Sequence, residues 1–372
     1  MERDRVTCGR CVLDSTVPGV ALYDDGTCTY CREYMRRLEK LAVLDRTATL
    51  DACISRMKRS GQGKQYDALI GISGGLDSSY AAWIAAQVGL RLLGVHVDNG
   101  WNTPLAAANI RAIAENLGIE LENVTPSWEH FRGLQLAFLR ASVRNAEIPT
   151  DHVITAALYR TAHRHGIRWI ISGGNFVTEG VALPEAYGHY NRDHRYIRSV
   201  HRRFGTLPLK PLPTIGIPRT LYYRYVRGIR IVRILDHVDY VRAKAEETLA
   251  REIGWQSYGG KHNESVYTRF FQCYILPRKF GLDKRRFHLA ALVCCGQLPR
   301  SEALELLAQP PYPDQEALER DTAEVLDKLG LSTEEFERIM QQPVRPDREF
   351  PSNRWMFEAA RWLVRRGIRL GE

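Results

Sequence analysis

The stretch Asp67-Ala-Leu-Ile-Gly-Ile72-Ser73-Gly74-Gly75-Leu76-Asp77-Ser78-Ser79 leaves the chain few choices of fold. Asp67 to Ile72 is an apolar run bounded by polar residues, the pattern of a short buried β-strand. Ser73-Gly74-Gly75 predicts a turn tight enough to need residues without Cβ. From Leu76 onward, Leu76, Tyr80, Trp83, Ile84 and Val88 recur at helical spacing, which predicts an amphipathic helix. Strand, glycine turn and helix N-terminus together make an anion cradle, because unpaired backbone N–H groups and the positive end of the helix dipole face outward. Ser78 and Ser79 add hydroxyl donors, and Asp77 adds a carboxylate. Beside an anion, that carboxylate makes sense with a divalent cation between them. The turn lacks the Gly-Lys-Ser/Thr ending of a Walker A loop, and it is not G-x-G-x-x-G.

Ser73-Gly-Gly-Leu-Asp-Ser78 resembles the SGGxDS signature of the PP-loop ATP pyrophosphatases, a family that includes NAD, GMP, asparagine and argininosuccinate synthetases and tRNA-thiolating enzymes. The resemblance implies a loop that grips the β,γ-pyrophosphate of ATP and leaves the α-phosphorus open to a substrate oxygen. The plainer alternative is a glycine-rich turn with no ligand.

The 372 residues suffice for two or three domains with ample core. A 44% hydrophobic and 26% charged composition is that of an ordinary soluble globular protein. No apolar run approaches the roughly 18 residues of a membrane span, and residues 1–20 hold Glu2, Asp4 and Asp14 rather than a signal-peptide core. A cytoplasmic location without membrane association is therefore expected, and with it eight cysteines that are reduced, metal-bound or catalytic. The net charge of +9 is spread over many segments. No basic-aromatic recognition module stands out; ATP with a second anionic substrate accounts for the charge about as well as RNA would, and nucleic acid is not the expected partner.

Cys8-x2-Cys11 and Cys28-x2-Cys31, separated by 16 residues, have the spacing of a four-cysteine zinc site. Two such knuckles close a tetrahedral all-thiolate site with no open position, so a Zn²⁺ there is expected to be structural. A pair of disulfides is the competing reading. Downstream, residues 91–98, 120–125 and 168–172 read as further strands alternating with helices at 102–117, 127–144 and 151–165. That alternation predicts an α/β fold with a doubly wound parallel sheet. Its ligand edge would collect Ser73, Asp98-Asn99 and Gly173-Gly174-Asn175.

From 180 to 235 the periodicity weakens, and the basic-aromatic run His189–Arg203 reads either as a substrate-recognition insert or as a solvated helix. Asp236–Ile253 is helical. Gly259-Gly260-Lys261-His262-Asn-Glu264 then combines free backbone with a lysine suited to phosphates and a departing pyrophosphate. His262 and Glu264 are candidate general acid–base groups, with a structural role as the alternative for the histidine. Adjacent Cys294 and Cys295 point in different directions on a helix, so core packing is the default. Residues 299–372 read as four short helices with no assignable chemistry.

Taken together and in order, the four-cysteine segment, Ser73–Ser79, Asp98-Asn-Gly-Trp101, Gly174-Asn-Phe-Val-Thr-Glu179, Gly259–His262, Thr268-Arg-Phe-Phe-Gln272, Leu276-Pro-Arg-Lys-Phe280 and Asp283-Lys-Arg-Arg286 resemble the N-acetyl sugar amidotransferases of bacterial surface-polysaccharide biosynthesis. The resemblance covers residues 6–310. It departs at Cys294-Cys295, where Ser or another small residue is expected, and in the Arg-rich segment 189–233. It implies ATP-dependent conversion of an acetamido group on an activated or nonulosonic sugar to an acetamidino group. Catalytic roles then fall to Asp77, Lys261, His262 and Arg269. Nucleotide contacts fall to Ser73, Gly74, Gly75, Asp77, Ser78, Ser79, Asp98, Gly174, Asn175 and Lys279. Mg²⁺ would be shared by Asp77 and Glu179, the latter by likeness to the corresponding loop of NAD-synthetase-type enzymes. With neither a G-x-C-x-G turn nor an N-terminal Cys in the sequence, ammonia is expected from a separate glutaminase partner related to imidazole-glycerol-phosphate synthase. A homodimer is left open. The expected domains are a zinc ribbon (1–45), a linker helix (46–64), a PP-loop core (65–180), a substrate-recognition region (181–298) and a helical appendage (299–372). A tRNA-thiolating enzyme is the alternative.

Overall fold

The computed structural model describes residues 6–43, 45–261 and 263–365. Its centre is a sheet of five parallel strands in the order β3-β2-β1-β4-β5. They are β1 (Ala68–Gly71), β2 (Leu92–Val97), β3 (Glu120–Val124), β4 (Trp169–Ser172) and β5 (Arg230–Arg233). The chain winds outward from β1 through β2 to β3, then returns to the other side of β1 for β4 and β5. The direction reverses between β1 and β4, and in such sheets the crevice beyond the strand ends at that point is where ligands bind.

Alternating side chains give each face its own core. Leu69, Leu93, Val95 and Ile170 point to one side, toward α5 (Trp128–Arg140) and α6 (Ile148–Arg164). Ala68, Ile70, Leu92 and Ile171 point to the other, toward α2 (Arg46–Ser60), α3 (Leu76–Gln87), α4 (Pro104–Asn116) and the helix Arg242–Ile253. The face of α3 differs from the sequence expectation. Its fully buried residues are Ser79, Ala81, Ala82 and Ala85, while Leu76, Tyr80, Trp83, Ile84 and Val88 pack at the flanks. Small residues let the helix lie close to the strands and bring its N-terminus down to the sheet edge.

The N-terminal segment and α1 (Thr29–Ala42) form a third core with the helices Arg285–Cys294 and Arg300–Ala308. The C-terminal helices Gln315–Leu329 and Thr333–Gln341 contribute Val325, Leu326, Phe336 and Ile339 to the core on the α5–α6 face. No helix among the described residues is long and apolar enough to cross a membrane.

Candidate functional site

Gly74 lies in the left-handed region (φ +81°), and a Cβ there would stand 2.8 Å from the Ala106 carbonyl oxygen. The turn therefore needs glycine for both conformation and space. The Gly74 carbonyl accepts hydrogen bonds from Trp255 Nε1 (2.8 Å) and Tyr258 Oη (3.0 Å), which fix the loop from above. Ser73 Oγ and Ser78 Oγ are 3.1 Å apart, and Ser79 Oγ donates to the Gly75 carbonyl at 2.7 Å. Ser79 is buried and caps the turn from inside, whereas Ser73 is exposed at its mouth. Across the crevice, a Cβ on Gly173 would meet the Ser78 nitrogen at 2.6 Å, so the loop after β4 presses directly on the first turn of α3.

That contact sets two acids against one base. α7 (Phe176–Glu179) is capped by Asn175, whose Oδ1 accepts from Thr178 N at 2.8 Å. It presents Thr178 and Glu179 to Lys261. Lys261 Nζ lies 2.9 Å from Glu179 Oε1, 3.2 Å from Asp77 Oδ2 and 3.2 Å from Thr178 Oγ1. Burial alone would lower the Lys261 pKa, but the Asp77 and Glu179 carboxylates outweigh it and raise the value, so the ammonium persists. The other oxygen of Asp77 accepts from the buried Tyr240 hydroxyl. Two carboxylates converging on one cation are a donor set suited to Mg²⁺, the Lys261 ammonium marking where positive charge is wanted.

These groups line a cavity of ≈ 220 Å³, together with Arg242 and with His288 from the helix Arg285–Cys294. Burial, reinforced by the charges of Lys261 and Lys284, pushes the His288 imidazole down to about 3, so it faces the cavity neutral. Ser73, Gly173 and Glu264 are shared with a second cavity of ≈ 510 Å³ that runs along the strand ends toward α6. Its polar lining includes Glu147, Asp151, Gln272 and Lys284. Glu147 Oε2 accepts from Gln272 Nε2 at 2.8 Å and lies 3.4 Å from Lys284 Nζ. Asp151 keeps an exposed side chain at this wall, and the protein crowded around it, with help from the Glu147 charge, raises its carboxyl above the usual range. Burial first, then the charge of Asp77, raises that of Glu264. Backbone bonds from Thr103 N to Glu264 O (3.0 Å) and from Val266 N to Trp101 O (2.8 Å) hold Glu264 at the junction.

The structure thus brings together Ser73, Gly74, Gly75, Asp77, Ser78, Ser79, Gly174, Glu179 and Lys261. His262 lies outside the described residues. Four other residues expected at the site from sequence are not among the residues lining these cavities. Arg269 sits in neither cavity; its Nε and Nη2 grip Asp321 at 2.6 and 2.8 Å, tying its helix to Gln315–Leu329. Lys279 donates to the Ile339 carbonyl in the C-terminal helices, and burial lowers its pKa to about 8. Asp98 turns back to accept from Gly100 N (3.0 Å) and Asn102 Nδ2 (3.3 Å), and its neighbour Asn99 faces the larger cavity instead. Asn175 is fully buried as a helix cap. Sequence reasoning missed His288, Glu147, Asp151 and Tyr240, whose only signal is their three-dimensional company.

Because the Arg269–Asp321 pair is largely buried, Arg269→Ala is expected to cost about 3–5 kcal/mol of stability by stranding the Asp321 carboxylate. The folded fraction should turn over normally. A lowered denaturant midpoint with unchanged turnover per folded molecule is the result to look for; unchanged stability with lost turnover would return Arg269 to catalysis.

In the N-terminal segment, Cys8, Cys11, Cys28 and Cys31 are buried with their Sγ atoms all within 4.8 Å of one another. A tetrahedral site with Zn–S bonds of about 2.3 Å has edges of about 3.8 Å. Cys8–Cys31 and Cys11–Cys28 are each 3.8 Å. Backbone N–H groups of Cys11, Leu13 and Cys31 point at the sulfurs from 3.4–3.5 Å, as suits thiolates. The four residues therefore fit a structural Zn²⁺.

Fold and site together define an open parallel α/β sheet with an anion cradle at the point where its winding reverses. Residues 264–362 match the protein family described as “LPS biosynthesis protein WbpG-like, C-terminal domain”. No curated protein matches the chain. Among solved structures, the NMN synthetase from Francisella tularensis aligns at 13% identity and a TM-score of 0.31, over 81% of this chain and 98% of that one. A likeness that remote fixes neither mechanism nor substrate.

Proposed function

We infer that this chain is an ATP-dependent amidotransferase that turns the acetamido group of an activated or nonulosonic sugar into an acetamidino group, using ammonia and releasing AMP and pyrophosphate. The observation that carries the reading is the shared wall of Ser73, Gly173 and Glu264. It joins a small cradle suited to phosphates to a larger cavity, partly apolar and carrying Glu147, Asp151, Gln272 and Lys284, with room for an acceptor. The match of residues 264–362 to a lipopolysaccharide-biosynthesis family supports a sugar as that acceptor.

An amide carbonyl is a poor electrophile, and converting its oxygen to a phosphate ester supplies a leaving group. The acetamido oxygen attacks the α-phosphorus of ATP, the new P–O bond forms, and pyrophosphate departs. Ammonia then adds to the imidate carbon, the C–O bond breaks, and AMP leaves. Backbone N–H groups and hydroxyls from Ser73 to Ser79 hold the pyrophosphate end, with the α3 dipole behind them. Lys261 neutralises charge as pyrophosphate departs. Asp77 and Glu179 would hold Mg²⁺, which when bound offsets charge on the phosphates. Asp151 and Glu264, with raised pKa values, are placed to exchange protons with the acceptor or with ammonium. A separate glutaminase remains the expected ammonia source and a cytoplasmic location the expected setting. Among the described residues no cysteine lines either cavity, which counts against the sulfur-carrying alternative.

Mass spectrometry of reactions containing ATP, Mg²⁺, ammonium and a panel of acetamido sugars tests the reading. The expected product is lighter than its substrate by the difference between oxygen and NH, with AMP formed in equal amount. Formation of ADP, or no consumption of any acetamido sugar, would overturn it.

A further inference from the structure

A fifth thiol stands beside the four-cysteine centre. Cys294 Sγ, at the end of the helix Arg285–Cys294, lies 3.6 Å from Cys31 Sγ. It is not one of the four mutually close sulfurs, so it borders the metal position without completing it. Of the four ligands, Cys31 lines a surface cavity of ≈ 230 Å³ between α1 and the first knuckle, where Arg10, Thr27, Arg32 and Met35 also face. A cavity that reaches one buried sulfur, with a second thiol in contact with it, gives a small oxidant a path to a cysteine and places a resolving partner beside it.

We propose that Cys31 and Cys294 form a reversible disulfide site that responds to hydroperoxides. A peroxide reaching Cys31 through the cavity gives up its distal oxygen to the thiolate. The O–O bond breaks, an S–O bond forms, hydroxide leaves, and Cys31 becomes a sulfenic acid. The Cys294 sulfur then attacks the Cys31 sulfur, the S–S bond forms, and the hydroxyl leaves as water with the Cys294 proton. Two electrons pass from the thiol pair to the peroxide. Cys8, Cys11 and Cys28 are engaged by the metal while it remains, and Cys294 is not, so Cys294 is the thiol placed to resolve first. Losing one of four thiolates releases Zn²⁺. The bridge then ties the N-terminal segment to the helix that presents His288 and Leu292 to the phosphate cavity. This site is independent of the sugar reaction proposed above.

The test uses the full zinc-loaded chain treated with hydrogen peroxide, with released zinc read by a chromogenic chelator and disulfides mapped by non-reducing peptide mass spectrometry. Wild type is expected to yield a Cys31–Cys294 linked peptide and to rebind zinc after dithiothreitol. In Cys294→Ser, Cys31 should advance to the irreversible sulfinic acid, and zinc rebinding should fall at least ~fivefold. Cys294→Ala serves as a second variant, and each variant must first bind one zinc as isolated. Bridges confined to the four ligands, or rebinding by both variants equal to wild type, would overturn the proposal.

Discussion

Lys261→Met is expected to slow pyrophosphate release from ATP by about 10²–10³-fold, the range seen when one preorganised charge-stabilising group is removed from an active site. Its ammonium is 2.9 Å from Glu179 and 3.2 Å from Asp77, and its side chain is only 16% exposed. The two carboxylates therefore hold it at the edge of the cradle before any ligand arrives. The loss should fall on kcat more than on the KM for ATP, because the backbone cradle and the serine hydroxyls remain. Lys261→Arg keeps the charge and should recover part of the rate. Its broader, planar head cannot reproduce a point charge between two carboxylates, so recovery should be incomplete. Single-turnover measurement of AMP formation checks the expectation. Unchanged turnover in Lys261→Met would leave this lysine as no more than a salt bridge between α3 and α7.

The second large effect concerns a residue far from the phosphates. Cys28→Ser is expected to abolish tight zinc binding and to weaken ATP binding at least ~tenfold, although the N-terminal segment lines neither cavity. The reason is how α1 is joined to the site. Tyr34, three residues beyond Cys31 and fully buried, donates to the Val177 carbonyl at 2.9 Å and stacks on Phe176 with ring centres 4.6 Å apart. Phe176 and Val177 belong to the short helix that ends in Glu179. Arg300 Nε and Nη2 donate to the Cys11 and Cys8 carbonyls at 3.1 and 2.9 Å, fastening the segment to the helix Arg300–Ala308. A zinc at these four sulfurs would brace the segment that seats Tyr34 under that helix, and its loss is expected to loosen that seat. Calorimetric titration with a non-hydrolysable ATP analogue, on wild type and variant, measures the effect. ATP affinity equal to wild type in a zinc-free variant would show that α7 holds its place unaided.

The sequence made much of this legible where chemistry is local. The run Asp67–Ile72 has the pattern of a buried strand, the adjacent glycines that of a turn, and four cysteines at that spacing come together as a cluster able to hold a metal. The alternation of apolar runs then fixes a parallel sheet. β5 escaped notice because Arg230 and Arg233 close both its ends and only Val232 is buried. That is how an edge strand protects itself, and it is also how a strand hides from pattern reading. The partners of Arg269 and Lys279 were hidden for a related reason. Nothing near them in sequence reveals that Asp321 lies 52 positions away to accept one, or that the Ile339 carbonyl waits for the other. Glu147 and Asp151 at the start of α6 reach the larger cavity only because the fold carries them there. A charged residue's role depends on its partners, and partners are a tertiary property.

The contact between Gly173 and the first turn of α3 has a mechanical corollary. With no room for even a methyl group at that seam, the Ser73–Ser78 loop and the loop that leads to Glu179 cannot slide past each other. The gauge between donors and acids is therefore set at folding, before a nucleotide of the kind proposed above arrives. Whatever gives way to admit one must belong to the roof, where Trp255 and Tyr258 rest on the Gly74 carbonyl through single, separable hydrogen bonds.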